Sequence, residues 1–250
     1  MSASSPASAN SGNIALPLLR WIFSSVGKKT IVAVTGILLI GFLAVHMLGN
    51  FTLFVGQDAL NTYAQQLQSL GPLLWVARLG LLAIFGAHIL FTVLLILENH
   101  RASSSKYVYK SHIGSSIFVR TMKYTGLVVI AFVIFHLAHL TLGWVMPEAY
   151  SLKQVMPDGQ ARHDVYSMVV LGFQNVPISL FYIAALTLLA FHLSHGIGSL
   201  FQTFGITNKK LRPVFEKGGM AIAWLLWLGY VSLPVSVLLG LVKLPANVSL

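Results

Sequence analysis

Five long apolar blocks separated by polar stretches set the pattern of the chain, at about 30–54, 73–97, 124–145, 177–201 and 218–242. Each reaches the roughly 20 residues that an α-helix needs to cross a hydrocarbon layer of about 30 Å, so five transmembrane helices are predicted. Ahead of them, Leu16 to Val26, with Arg20 and Trp21, is amphipathic and short, which predicts a helix lying at the membrane surface. Lys28 and Lys29 close that side. Between the first two blocks, Asp58 to Gln68 carries no charge after its aspartate and is amphipathic, which predicts a second surface helix with Asp58 as its N-cap. Pro72 opens the second block and Pro177 the fourth. The stretch from Val165 to Phe173 is also apolar, but too short to cross.

Charge then gives the blocks a direction. Residues 98–123 hold Arg101, Lys106, Lys110, Arg120 and Lys123 against Glu98, and Lys209, Lys210, Arg212 and Lys217 follow the fourth block. Residues 146–175 instead hold Glu148, Asp158 and Asp164 against Lys153 and Arg162. By the positive-inside rule the first two segments face the cytoplasm and the third lies outside. The expected architecture is therefore an all-α membrane protein. Residues 1–27 form a cytoplasmic tail and surface helix, and residues 28–245 a five-helix membrane domain with its N-terminus inside and its C-terminus outside. No small-residue cleavage site follows the Ser/Ala-rich leader from Met1 to Asn13, so that leader reads as a retained tail rather than a signal peptide.

Composition narrows the chemistry. Charged residues make up 9% of the 250, against roughly 25% in soluble domains. The formal charge of +10 is scattered between apolar blocks, which matches a membrane topology and argues against nucleic acid as a partner. With no cysteine, disulfides, iron–sulfur ligation and thiolate zinc sites are excluded. Any metal must be held mainly by histidine, with methionine as a lesser option.

Four histidines, one in each of the first four blocks, sit where an ionisable group is costly. With a rise of about 1.5 Å per residue, His46 and His136 fall roughly 24 and 20 Å from the cytoplasmic face, and His88 and His192 roughly 22 Å from the outer face. The four sort into an outer pair, His46 with His136, and an inner pair, His88 with His192. Two levels of two imidazoles suit two bis-histidine haems held between facing helices, about 10–15 Å apart along the bundle axis. Gly49, Gly86, Gly196 and Gly198 are candidates for bringing helix backbones close to a flat macrocycle. The competing reading for each histidine is a hydrogen bond to a neighbouring helix. His139 and His195 each lie three residues beyond a proposed ligand, so they are alternative ligands or supporting polar groups. His100, His112 and His163 fall in polar loops and are expected to be solvated.

The sequence resembles the single-chain, five-helix, di-haem cytochrome b subunit of succinate:quinone oxidoreductases, the succinate dehydrogenases and fumarate reductases. The resemblance rests on Phe42-Leu-Ala-Val-His46, Gly86-Ala-His88, Phe135-His136, Phe191-His-Leu-Ser-His-Gly-Ile-Gly-Ser199, Phe201-Gln-Thr-Phe-Gly-Ile-Thr207 and Ala59-Leu-Asn-Thr-Tyr-Ala64. It spans about residues 25–241 and implies that His46 and His136 ligate a distal haem b, and His88 and His192 a proximal one. It further implies a bacterial cytoplasmic membrane, and a flavoprotein with FAD and an iron–sulfur subunit docked on the basic face. Electrons from succinate would pass through both haems to a quinone, menaquinone in particular. This chain would hold no succinate site and no catalytic residue of its own. The complex is also a candidate homo-oligomer. Some fumarate reductase relatives carry membrane or outer-loop glutamates for proton handling; here all six acids lie in loops or at a helix end, which argues against a glutamate-based proton path within the helices.

Arg78, about six residues into the second block, needs an anion or a route to the interface. A distal haem propionate or a quinone carbonyl would serve, and snorkelling is the alternative. Arg120 and Lys123 are matching candidates for proximal propionates. Trp75, Trp144 and Tyr63 read as interface anchors or quinone-site walls. Competing functions are a di-haem cytochrome b of another respiratory dehydrogenase, a transporter using histidine relays, and a cofactor-free anchor.

Overall fold

The computed structural model describes residues 15–102, 117–246 and 248. The expected leader, Lys106, Lys110 and His112 lie outside these residues. Nine α-helices and one two-stranded hairpin are found among the described residues: α1 (Ala15–Ile22), α2 (Ser25–Asn50), α3 (Gln57–Ser69), α4 (Pro72–Ala102), α5 (Ile117–His136), α6 (Pro147–Tyr150), β1 (Lys153–Val155), β2 (Ala161–His163), α7 (Val165–Gln174), α8 (Val176–Thr203) and α9 (Arg212–Leu238). Five helical segments, 25–54, 72–102, 120–141, 176–203 and 212–238, are long and apolar enough to cross a membrane. This is the architecture of a multi-pass membrane protein.

The helix ends follow local chemistry. Ser24 caps α2, its hydroxyl accepting from the Gly27 N–H at 3.0 Å. Asn175 caps α8 by accepting from the Ile178 N–H at 3.2 Å, with proline in the first turn, where a missing N–H costs nothing. The fifth span runs from Arg212 rather than 218, again with proline in its first turn, and ends at Leu238 rather than 242. Gly240, at φ +69°, stops it: the Gly240 N–H reaches the Val237 carbonyl at 3.0 Å and the Leu241 N–H reaches Ser236 at 2.9 Å, a paired closure that favours glycine. The second span continues to Ala102 and the third ends at Thr141 on a π-turn over Leu137–Thr141.

Packing is uneven. Helices α8 and α9 share the most extensive contact, followed by α2 with α4 and α5 with α8. No residue of α4 is buried, and its substantial packing is with α2 alone. Its Val76, Leu79 and Leu82 are open, as suits a surface facing acyl chains rather than water. At the basic end of the bundle, buried Lys28 of α2 meets Glu98 of α4 in an ion pair, and Phe23 packs on Phe91.

The opposite end is capped. The segment at 146–175, expected as a loop, folds into α6, the hairpin and α7, and α7 is almost wholly buried despite being too short to cross. The hairpin turns at Met156-Pro-Asp-Gly-Gln160, a proline–aspartate–glycine turn sequence, with Lys153 facing His163 across the strands. His163 is therefore not a solvated loop residue: its Nε2 lies 2.6 Å from the Tyr150 carbonyl and its ring packs on Tyr150. Nor is Asp58 the cap of α3. Gly56, at φ +126°, takes that place, and Asp58 instead pairs with Arg162 at 3.0 Å. The cap is tied together by Asp164, 1% exposed. Its carboxylate accepts from Gln57 Nε2 (2.7 Å), Asn61 Nδ2 (2.9 Å), the Ser167 hydroxyl (2.7 Å) and the Ser167 N–H (3.1 Å). Burial disfavours the charged carboxylate, but these donors outweigh it and hold its pKa below the usual aspartate value.

Candidate functional site: two levels of paired histidines

The bundle brings the four intramembrane histidines together as two pairs. Toward the cap, His46 of α2 and His136 of α5 lie with ring centroids 6.0 Å apart and planes at 81°. Phe42 stacks on His46 from one turn below, and Tyr230 of α9 lies 6.2 Å away, its hydroxyl donating to the Leu43 carbonyl at 2.7 Å. Toward the basic end lie His88 of α4 and His192 of α8, each with its ring against a glycine of a neighbouring helix.

Each level is supported by hydroxyls and by glycines against imidazoles. His88 Nδ1 is 3.0 Å from the Thr35 hydroxyl of α2, and Gly36 is in contact range of the same ring. Gly126 of α5 stands against His192. The buried His192 Nδ1 has no hydrogen-bond partner among the described residues, although the Met122 carbonyl lies nearby outside bonding geometry. At the cap-side level the Tyr182 hydroxyl of α8 lies 3.3 Å from His136 Nδ1 and 3.0 Å from His139 Nδ1.

These neighbours measure the distance between levels. Thr35 to His46 on α2, Gly126 to His136 on α5 and Tyr182 to His192 on α8 span 11, 10 and 10 residues. Three helices thus agree on about 15 Å. The space between α2, α8 and α9 is lined only by Leu43, Leu186, Leu189, Ala190, Leu193, Ala223, Leu226, Trp227 and Tyr230, and leaves a gap of about 10 Å³. It offers no polar side chain that would draw water in, apart from the phenol and indole edges.

The remaining candidates fall as follows. His139 is 2% exposed and packs so tightly on Gly172 of α7 that a β-carbon there would stand 2.8 Å from its Cε1 and Nε2. Its ring edge therefore lies against the Gly172 backbone. His195 is half-buried one turn nearer the basic end, within electrostatic reach of Glu216, which itself pairs with Arg212 at 2.8 Å. Arg78 is exposed on α4 and lies over the Trp75 ring at 5.2 Å, the arrangement expected of a snorkelling arginine. Lys123 lies over Tyr124 at 4.8 Å. Of the expected glycines, Gly49 packs on Tyr63, Gly198 on Glu216, and nothing lies close to Gly86. The glycines that touch imidazoles are Gly36, Gly126 and Gly172 instead.

Thr35, Tyr182 and these glycines were not evident in the sequence reading. A signal existed: Thr35, Gly126 and Tyr182 each precede a histidine by 10 or 11 residues on the same helix. That is about three turns, which returns a side chain to the same face.

The donor set can be tested against a haem. His46 and His136, with ring centroids 6.0 Å apart on facing helices, would be the residues to hold such a group at the cap-side level. A supporting partner on Nδ1 leaves Nε2 for a metal, as metal-bound histidines usually require. Among the described residues no group of three or more His, Cys, Asp or Glu could hold a bare ion. The donors present, neutral imidazoles in pairs, are of the type that a haem iron takes. No protein-family model, curated protein or solved structure matches the chain.

Proposed function

We propose that the chain is the membrane-anchor cytochrome b subunit of a succinate:quinone oxidoreductase, in a bacterial cytoplasmic membrane. The observation that carries this reading is the placing of four intramembrane histidines at two levels about 15 Å apart, with the rings of His46 and His136 6.0 Å apart at one of them. In it His46 and His136 hold one haem b, and His88 and His192 the other. Haem supplies one-electron redox chemistry when bound. The chain's own contribution is placement. Thr35 and Tyr182 hold the Nδ1 atoms of His88 and His136, and the leucine-rich walls of α2, α8 and α9 exclude water. Arg101, Arg120, Lys123, Lys209, Lys210, Arg212 and Lys217 give the opposite end a basic face, suited to an iron–sulfur subunit and its FAD-containing flavoprotein partner. Electrons would enter there, pass the basic-side and then the cap-side haem, and reduce a quinone, menaquinone in particular, near the cap. The bonds of His88 to Thr35 and His139 to Tyr182 also suit a cofactor-free anchor, so haem content decides.

The test is haem per polypeptide, by pyridine haemochrome, together with flavin content in the complex purified from membranes. Two haems and one flavin are expected, with one haem lost on changing His46, His88, His136 or His192 to Ala. Haem without flavin would point to another respiratory dehydrogenase. An intact complex without haem would leave the anchor.

A further inference from the structure

Tyr182 places one hydroxyl between two imidazoles. Its oxygen is 3.3 Å from His136 Nδ1 and 3.0 Å from His139 Nδ1, on one helix across from two residues three apart on another. The π-turn over Leu137–Thr141 begins right after His136 and carries His139, and π-turns inserted in α-helices recur at functional sites. Tyr182 is buried, as is His139, whose ring packs on Gly172.

One hydroxyl has one proton, so three groups sharing it admit few arrangements. If His136 binds a metal through Nε2, its neutral imidazole carries the proton on Nδ1 and must donate to the tyrosine oxygen. The tyrosine O–H is then committed to His139 Nδ1, which must be the unprotonated nitrogen. The chain His136 Nδ1–H to Tyr182 O–H to His139 Nδ1 is then the one assignment that satisfies the three atoms that meet there.

We propose that Tyr182 is a positioning residue for the cap-side haem, fixing the tautomer and orientation of His136 with His139 as the anchor behind it. The proposal rests on the haem reading above. Donation from Nδ1–H increases the basicity of an iron-bound imidazole and favours the oxidised iron. Removing the acceptor therefore raises the midpoint potential of that haem and leaves the other alone.

The experiment is a redox titration of both haems in the purified complex carrying Tyr182→Phe, with the cap-side haem identified as the one lost in His46→Ala. Phenylalanine keeps the ring against Phe132 and Phe173, at 5.2 and 5.1 Å, so a tyrosine that only packs would leave both potentials unmoved. The expected result is two haems, a positive shift confined to the cap-side potential, and a smaller shift of the same sign in His139→Leu. Selective loss of the cap-side haem from Tyr182→Phe would also support the role. Two haems with unchanged potentials in both variants would overturn it while leaving the electron-transfer reading intact. A parent complex without haem would remove that reading, and this one with it.

Discussion

The two histidine levels use the same side chains in unequal surroundings. His46 and His136 sit among Phe132, Tyr182 and Tyr230, under a cap whose short helix α7 is buried on nearly every side. His88 stands on a helix with no buried residue, and His192 keeps a buried Nδ1 without a hydrogen-bond partner among the described residues. Yet both levels are built alike in one respect. Each takes one imidazole from α2 or α4 and the other from α5 or α8. A group bound between them joins the two sides, and the less packed level has more to gain from being joined. The cap-side level is largely finished by the protein, whereas the basic-side level depends more on what it holds.

On the haem reading proposed above, the largest test of that contrast is removal of the haems. In haem-free protein, amide exchange in α4 should accelerate by more than tenfold while α7 and the adjoining part of α8 change little, as expected when locally loose elements open independently of the core. Equal acceleration throughout would mean that the levels are equivalent. Next comes the cap itself. Asp164→Ala leaves Asn61, Gln57 and Ser167 donors stranded and should cost about 3 kcal/mol in thermal unfolding in detergent. Because the folded pKa of Asp164 is depressed, its contribution is present above the ordinary aspartate value of about 4 and is lost as the pH falls below it. A cap whose stability is flat from pH 6 to pH 3 would contradict this.

Packing offers a matched pair. Leu186→Ala on α8, at a side chain 6% exposed, should cost about 2–4 kcal/mol. Leu82→Ala on α4, 60% exposed, should cost less than about 0.5 kcal/mol. Comparable losses would show that α4 is buried by a partner in the assembled complex. Smallest is Thr35→Val, which removes the bond to His88 Nδ1 and should weaken the basic-side level by about 1 kcal/mol. If the protein carries the proposed haems, its checkable outcome is easier loss of one of them on dilution, with the His46 level unmoved.

The sequence made the five spans and the depths of the four histidines legible, because apolar length and helical rise act locally. The pairing of His46 with His136 could be expected from depth alone. What it hid was contact between elements. Tyr182 reads as one more aromatic in an apolar run until α5 is laid beside it. Likewise Val165 to Phe173 reads as a loop segment until α3, α8 and α9 enclose it. The hairpin at 153–163 did carry its turn sequence, but among polar residues that periodicity alone leaves as loop. The packing of His139 on Gly172 joins residues thirty-three apart in the chain, which no local pattern announces.

The Lys28–Glu98 pair gives α4 something its side chains do not. Along the seam between α2 and α4, this ion pair and the Thr35–His88 bond are the polar ties, seven residues apart on one helix and ten on the other. Sliding α4 by a single turn, about 5.4 Å, would break both together and leave an ammonium buried without its counter-charge. The two helices are therefore keyed like a lock, with discrete settings rather than a continuous slide. A helix that greasy contacts leave free is indexed by charge at the membrane edge, and the height of His88 is decided there.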